Sequence, residues 1–401
     1  MENLMRMIPK GNLHHLKNYK FHSGSSTPLD NLFNCIWWNP VSHLIPRFVS
    51  PNILTLTGAL CLTVMNYCIF AYVPGLDSSK APEWLPLVMA LAIFLYMTLD
   101  GVDGKQARKL GISSPLGQLL DHGIDAVISV FYPYMCVTLF PGGYTYSTLL
   151  LFCSPPIHVL CTVWREKEFA TFFHTNGVVG VTETNFLTIC LHLLHYYTRP
   201  HMYKKLGALF GKHAAVQFVS RFFPRVADLY TALLYIIIAV AYTEEICGII
   251  GLIRASKHRA RFLVFICSSI IQVFSGYYMV LVLPPAFKVL GCLFASTMCT
   301  VICVNNIICL LAHTPLRSFH LALVPHYLLI IHYFGVDLLR NYGYKLMPLS
   351  TTDLRKLLLV ITVYGFGCIL YIFAKTISEI MDYLKIPLLT VPTKGVRHKA
   401  S

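Results

Sequence analysis

Two pairs of aspartates stand close together in the stretch LDGVDGKQARKLGISSPLGQLLDHGID, which lies between long apolar segments. Asp100 and Asp103 are three positions apart and Asp121 and Asp125 are four apart, so on helices each pair projects from one face. Bringing the two faces together gives a four-carboxylate cluster whose negative charge requires compensating cations. Because oxygen-only ligand sets favour Mg²⁺ or Mn²⁺, the spacing predicts a divalent-metal site with positions open for phosphate. A pair of ions there fits a phosphoryl displacement.

Small and basic residues surround these acids. The glycines beside them are Gly101, Gly104, Gly117 and Gly123. A missing side chain lets a ligand or a neighbouring helix approach the backbone. Arg108 supplies a permanent forked cation suited to phosphate. From the residues alone, two alternatives to a metal site remain. The acids could form an ion or proton relay in a transporter, or they could make helix–helix contacts within the membrane.

Composition places this site in a membrane protein. Of the 401 residues, 56% are apolar or aromatic and only 12% are charged, far fewer charges than soluble domains carry. The formal charge of +14 fits contact with an anionic membrane surface, and because no RNA-binding motif is present we expect no nucleic-acid partner.

The hydropathy pattern predicts an all-α polytopic protein with about ten transmembrane helices. Residues 1–30 form a polar cytosolic segment, and residues 31–50 form an interfacial amphipathic helix with aromatic rings at the membrane boundary. The predicted spans are 53–74, 85–104, 118–140, 146–163, 185–198, 227–253, 262–283, 287–304, 319–335 and 356–375.

Charge in the connecting segments predicts the orientation. The segment Arg254–Arg261 and the tail 386–401 are strongly basic, and in this count both lie on the same side as the aspartates. Basic residues collect on the cytosolic side, so the aspartates should face the cytosol. The basic loop 199–225 would face the lumen, against this rule.

The acidic stretch matches D-x2-D-G-x2-A-R-x8-G-x3-D-x3-D at Asp100, Asp103, Gly104, Ala107, Arg108, Gly117, Asp121 and Asp125. In this pattern the chain resembles the CDP-alcohol phosphotransferase family. The sequence stretches DGKQAR and SSPLGQLLDHGID resemble those of the eukaryotic choline/ethanolamine phosphotransferase branch. The similarity extends to SPNILTLTG upstream and GVTETN downstream.

The resemblance implies a reaction. Phosphocholine or phosphoethanolamine passes from CDP-choline or CDP-ethanolamine to the hydroxyl of diacylglycerol, giving phosphatidylcholine or phosphatidylethanolamine and CMP. Two Mg²⁺ or Mn²⁺ ions are implied, with Asp100 and Asp121 touching both, Asp103 completing one and Asp125 the other. Catalytic helices would span 51–225, and helices in 226–385 would serve lipid access and dimerisation. An endoplasmic reticulum membrane, with the Golgi as the other option, and a homodimer are also implied.

The resemblance also suggests catalytic residues. His122 is the expected base for the lipid hydroxyl, since a histidine titrates near neutral pH. Asp125 is the second choice, and packing within the membrane is the structural alternative for His122. Glu183 could hold His122 or the lipid hydroxyl, or it could be an acid favoured at a helix start by the helix dipole.

The residues expected to bind the nucleotide substrate are Asn52, Gly104, Ala107, Arg108, Gly111 and Gly117. Asn52 could equally cap the first spanning helix. The resemblance is incomplete at Gly111, where animal relatives tend to carry Asn. The nucleotide contacts and headgroup preference of those relatives therefore apply less directly to this chain.

Three other functions compete with this interpretation. A phosphatidylinositol synthase-like enzyme shares the pattern but is usually shorter. An intramembrane prenyltransferase uses Mg²⁺ and aspartates without the AR-x8-G element. An ion-coupled transporter would use the acids for transport and release no CMP.

Overall fold

The computed structural model forms a helix at each of the ten predicted spans. It describes residues 6–17, 22, 24, 26–140, 143–173, 175, 177, 179–198, 221, 226–342 and 348–391. Within these ranges the long helices are α4 (Pro51–Tyr72), α5 (Leu85–Leu110), α6 (Pro115–Val137), α7 (Tyr146–Phe169), α8 (Val181–Thr198), α9 (Val226–Ala255), α10 (Arg259–Val282), α11 (Lys288–Leu311), α12 (Val324–Asn341) and α13 (Thr351–Leu384). The predicted lumenal loop 199–225 lies outside the described residues, apart from position 221.

Eight of these helices, in the part of the chain described, are long and apolar enough to cross a membrane. The two others are α6 and α8. Helix α6 carries Asp121 and Asp125, and α8 has only 18 residues and includes Glu183. Their polar content lowers their hydropathy, yet both pack among the apolar helices. No strand occurs in the described ranges, so the chain is an all-α polytopic membrane protein.

The predicted interfacial segment is helical from Pro28 to Leu44. It consists of α2 (Pro28–Phe33), a π-helical turn (Asn34–Trp38) and α3 (Asn39–Leu44), preceded in the chain by the short α1 (Leu13–Lys17). Thr27 and Asp30 form a reciprocal capping box that begins α2. The large apolar side chains exposed along it are Leu32, Ile36, Trp37 and Leu44. The segment is therefore helical with exposed apolar side chains, and its place at the membrane interface stays a prediction.

Helix α11 is the centre of the bundle. It packs against α6, α7, α10 and α13, and 78% of its apolar window is buried inside the protein. Helix α5 packs against α4 and α8, and α4 packs against α6. The two helices that carry the aspartates, α5 and α6, therefore both pack against α4.

A tight connection joins α5 to α6. Helix α5 ends at Gly111, whose φ of 70° is left-handed, and Ser114 begins α6 by accepting a hydrogen bond from the Gly117 amide at 3.2 Å. Pro115 at the first helical position has the fixed φ that this start needs. We call the end of the bundle where α5 stops and α6 starts the aspartate face.

The basic segment Arg254–Arg261 also lies on the aspartate face. The Ser256 hydroxyl donates to Glu168 at the end of α7, at 2.9 Å. Shortly after Glu168, the ring of Phe172 lies 4.2 Å from the ring of His122. The structure therefore places the basic segment Arg254–Arg261 and the aspartates at the same end of the bundle, as the sequence predicted.

Candidate functional site

The structure brings three of the predicted carboxylates together. Asp100 and Asp103 from α5 and Asp121 from α6 place ligand oxygens within 4.8 Å of one another. Asp103 is 5% exposed, and one oxygen of Asp100, Oδ1, is buried with no hydrogen-bond partner in the described part of the chain. Three carboxylate oxygens at this separation fit a hard divalent cation such as Mg²⁺ or Mn²⁺.

Asp125 lies one helical turn beyond Asp121 and is held by a neighbour. Its Oδ1 accepts a hydrogen bond from the hydroxyl of Tyr96 at 2.6 Å. In a similar way, Asp103 Oδ2 accepts from the hydroxyl of Thr55 on α4, at 2.5 Å. Hydrogen bonds of this kind fix the orientation of carboxylates that bind metals.

Sequence reasoning missed both of these hydroxyl donors. Tyr96 stands four residues before Asp100 on α5, so helical spacing could have placed the two on one face. Thr55 lies 48 residues before Asp103, and the contact depends on how α4 packs against α5. Nothing local in the sequence marks it.

Two of the glycines beside the acids are packing positions. A Cβ atom on Gly101 would lie 2.6 Å from the indole ring of Trp38, and one on Gly123 would lie 2.9 Å from the ring of Phe373. These separations are shorter than real Cβ contacts. A neighbouring aromatic ring therefore occupies the space that the sequence left open to either a ligand or a helix.

Two other glycines face polar side chains of the site. A Cβ atom on Gly104 would lie 3.4 Å from the guanidinium of Arg108, and one on Gly117 would lie 3.6 Å from Asn52 Oδ1. Arg108 is exposed and forms no ion pair with any acid in the described ranges, which leaves its charge available to a phosphate. The half-buried Ala107 accepts the Ile112 amide at 3.0 Å and so helps to end α5.

Gly111 takes a backbone conformation that favours glycine. Its φ is 70°, and a Cβ atom there would meet nothing within 4 Å. Asn is the other residue that commonly adopts this left-handed conformation at a helix end. An Asn at this position, which the resemblance implies for animal relatives, is therefore compatible with the same backbone.

Asn52 does not cap α4. Ser50 is at the N-cap position, and Asn52, which is 7% exposed, donates its Nδ2 hydrogen to the carbonyl of Leu388 at 2.7 Å. The side chain therefore joins the start of α4 to a segment near the other end of the chain. Its Oδ1 points toward Gly117, where α6 begins.

His122 lies beside Asp121 on α6 and is half-buried. Its ring packs on Phe172, and the amide nitrogen of Gln118 lies 2.9 Å from its Nδ1 and 2.5 Å from its Nε2. The Gln118 amide can donate to one of these nitrogens, which leaves the histidine oriented by its own helix and by the loop that follows α7.

Glu183 has one engaged oxygen and one unengaged oxygen. Its Oε2 accepts the amide of Gly180 at 2.8 Å, immediately before α8 begins at Val181. This contact matches a helix-start acid. Its Oε1 is buried without a hydrogen-bond partner among the residues described, and no hydrogen bond there joins Glu183 to His122.

Comparisons with known proteins match the region of the chain that contains the aspartates. A family model described as CDP-alcohol phosphatidyltransferase matches residues 48–243, a region that includes all four aspartates and extends beyond the predicted 51–225 at both ends. Residues 244–391 lie outside this match.

Several curated relatives are similar over part of their length. Choline/ethanolaminephosphotransferase 1 of Saccharomyces cerevisiae is 30% identical over 190 residues, which is 47% of this chain and 47% of the relative. Cholinephosphotransferase 1 of Danio rerio is 36% identical over 166 residues (41% and 42%), and ethanolaminephosphotransferase 1 of Homo sapiens is 35% identical over 135 residues (32% and 33%). The matched region thus covers less than half of each relative. The resemblance drawn from the motif is confirmed over this region: residues 48–243 match the CDP-alcohol phosphatidyltransferase family model.

Proposed function

We propose that this protein transfers phosphocholine, phosphoethanolamine or both from the CDP-alcohol to diacylglycerol. The lipid hydroxyl oxygen forms a bond to the phosphorus that carries the alcohol, and the bond from that phosphorus to the bridging oxygen breaks, so that CMP leaves. The observation that carries the proposal is the convergence of Asp100, Asp103 and Asp121 inside the matched domain. The names of the curated relatives support the choice of donors.

In this proposal the aspartates hold two Mg²⁺ or Mn²⁺ ions. Asp100 and Asp121 would serve both ions, Asp103 would complete the ligand set of one and Asp125 that of the other. Ions held there would supply positive charge to neutralise the diphosphate and the leaving phosphate. The buried, unsatisfied Oδ1 of Asp100 supports this assignment, because such an oxygen is costly unless a cation or donor reaches it.

His122 is the proposed base that accepts the proton of the lipid hydroxyl. Asp125, the alternative, already receives a hydrogen bond from Tyr96 on one oxygen, which orients its carboxylate as a ligand. The packing of His122 on Phe172 holds the ring in one orientation. Glu183 is the proposed acceptor for the lipid hydroxyl, through the buried Oε1 that has no other partner in the described region.

The nucleotide would bind beside the aspartates, close to Arg108 and Asn52. We call this the nucleotide side of the site. Arg108 offers the phosphates a cation that forms no ion pair with a described acid, and Gly104 beside Arg108 and Gly117 beside Asn52 keep the backbone accessible. Asn52 contributes a side-chain amide at the start of α4, and Ala107 and Gly111 shape the turn that ends α5.

We further propose that the aspartate face is cytosolic, that the lipid acceptor enters from the bilayer, and that the protein resides as a homodimer in the endoplasmic reticulum, or alternatively the Golgi. The basic segment on the aspartate face supports the cytosolic orientation. Cross-linking of the purified protein in nanodiscs tests the dimer.

The direct test uses purified protein in liposomes that contain diacylglycerol, with Mg²⁺ or Mn²⁺. CDP-choline and CDP-ethanolamine are offered separately and CMP release is measured. We expect release from at least one donor and none from Asp121→Ala. Asp77→Ala is the matched control, because Asp77 is an acid after α4, outside the cluster, paired with Lys80. If well-folded protein releases no CMP from either donor, the proposal is wrong, and CDP-diacylglycerol with inositol becomes the next substrate pair to offer.

A further inference from the structure

The segment after the last helix lies against the nucleotide side of the site. Helix α13 ends at Leu384, and Lys385 turns the chain through a left-handed φ of 56°. Ile386 and Leu388 then pack half-buried against the apolar core. We call residues 385–389 the C-terminal strap.

The strap determines how the Asn52 amide is oriented. The carbonyl of Leu388 accepts the Nδ2 hydrogen of Asn52 at 2.7 Å, while Oδ1 lies 3.6 Å from the position of a Cβ on Gly117. An amide has donors on one side and an acceptor on the other, so engaging the nitrogen fixes the direction of the oxygen. The strap therefore turns the acceptor of Asn52 toward the start of α6.

The strap starts from an anchored helix end. The carboxylate of Glu379 accepts the backbone amides of Met7 and Ile8, at 3.2 and 2.9 Å. The ammonium of Lys17 lies 5.0 Å from the centre of the Tyr383 ring. Because the N-terminal segment holds this end of α13, the strap that follows has little freedom to leave Asn52.

We infer that the C-terminal strap is a positioning element for the CDP portion of the substrate, acting through the hydrogen bond from Asn52 to Leu388. The inference rests on the proposed function, and it extends the site beyond the matched domain, which ends at residue 243. Without the strap, the Asn52 amide loses its partner and its fixed orientation, and CDP binds more weakly.

The test measures binding of CDP with Mg²⁺ to the purified protein in nanodiscs by calorimetry. A truncation after Lys385 removes the docking residues, and a truncation after Val391 is the matched control because it leaves the whole strap. We expect the first truncation to weaken CDP binding about fivefold, the effect of losing one hydrogen bond, and the control to bind normally. In the transfer assay the KM for the CDP-alcohol should rise while kcat stays unchanged.

A double-mutant cycle separates positioning from a general structural effect. In an Asn52→Ala background, the truncation after Lys385 should have no further effect on CDP affinity, because the contact is already lost. If this truncation prevents folding, the length-preserving variant Ile386→Gly/Leu388→Gly carries the same expectations.

Equal or tighter CDP binding after strap removal would overturn the inference, as would the same weakening in the Asn52→Ala background. These outcomes leave the proposed function intact. If the unaltered protein binds no CDP at all, both the proposed function and the inference fail.

Discussion

Replacing Tyr96 with phenylalanine tests whether the hydroxyl groups around the aspartates hold a metal site. The change removes one oxygen and leaves the ring, which packs against α4 near Gly58, in place. The lost contact is a 2.6 Å hydrogen bond to Asp125 Oδ1. Hydrogen bonds to charged groups contribute about 1.5 to 3 kcal/mol. At about 1.4 kcal/mol for each factor of ten, Tyr96→Phe should weaken metal binding roughly tenfold to a hundredfold.

The assay is Mn²⁺ binding to the purified protein without nucleotide, followed by electron paramagnetic resonance, with thermal unfolding recorded in parallel. Tyr134→Phe is the matched control. Tyr134 is buried, like Tyr96, and is itself on α6, but its hydroxyl pairs with Ser296, which is not part of the site. The control should lose some stability and keep its Mn²⁺ affinity. Unchanged Mn²⁺ binding in Tyr96→Phe, or an equal loss in both variants, would refute the reasoning.

Three further substitutions test the other contacts around the aspartates. Gly101→Ala should destabilise the protein by about 1 to 3 kcal/mol, because the new methyl group meets a rigid indole ring; thermal unfolding measures this, and an unchanged melting temperature would contradict it. Gly111→Asn should fold and react almost normally, since the position is open and left-handed, whereas Gly111→Val should lower the melting temperature. Thr55→Val should raise the Mn²⁺ concentration at half-saturation about tenfold, because it removes the hydrogen-bond donor to Asp103. The control Thr57→Val alters an exposed hydroxyl bonded within its own helix and should not change this concentration. Equal shifts in the two variants would argue against a specific role of Thr55.

Local periodicity was sufficient to predict the helices and the shared faces of the aspartates. Each predicted span coincides with a helix because a run of apolar residues in a membrane has no other way to satisfy its backbone. The placement of Asp100 and Asp121 at the same end of the bundle also has a local cause. The short turn from Gly111 to Ser114 reverses the direction of the chain between α5 and α6.

Contacts between distant parts of the chain could not be predicted in this way. Asn52 and Leu388 are separated by 336 positions, and their hydrogen bond depends on where α13 ends and how the strap turns. Similarly, composition marks residues 1–30 as polar, yet Ile8 is fully buried and bonded to Glu379. Neither segment carries a periodic pattern that specifies its partner.

The aspartate cluster gathers three acidic side chains without an internal cation among the described residues, and this is the physical argument for its role. By contrast, both carboxylate oxygens of the buried Glu379 accept backbone amides. At the cluster, three carboxylates converge within 4.8 Å, one oxygen of Asp100 lacks a partner, and the nearby Arg108 pairs with none of the described acids. An arrangement that costs folding energy without an internal cation is expected where binding supplies the missing charge. This arrangement is what the proposed function expects of a site that a divalent cation and a diphosphate complete together.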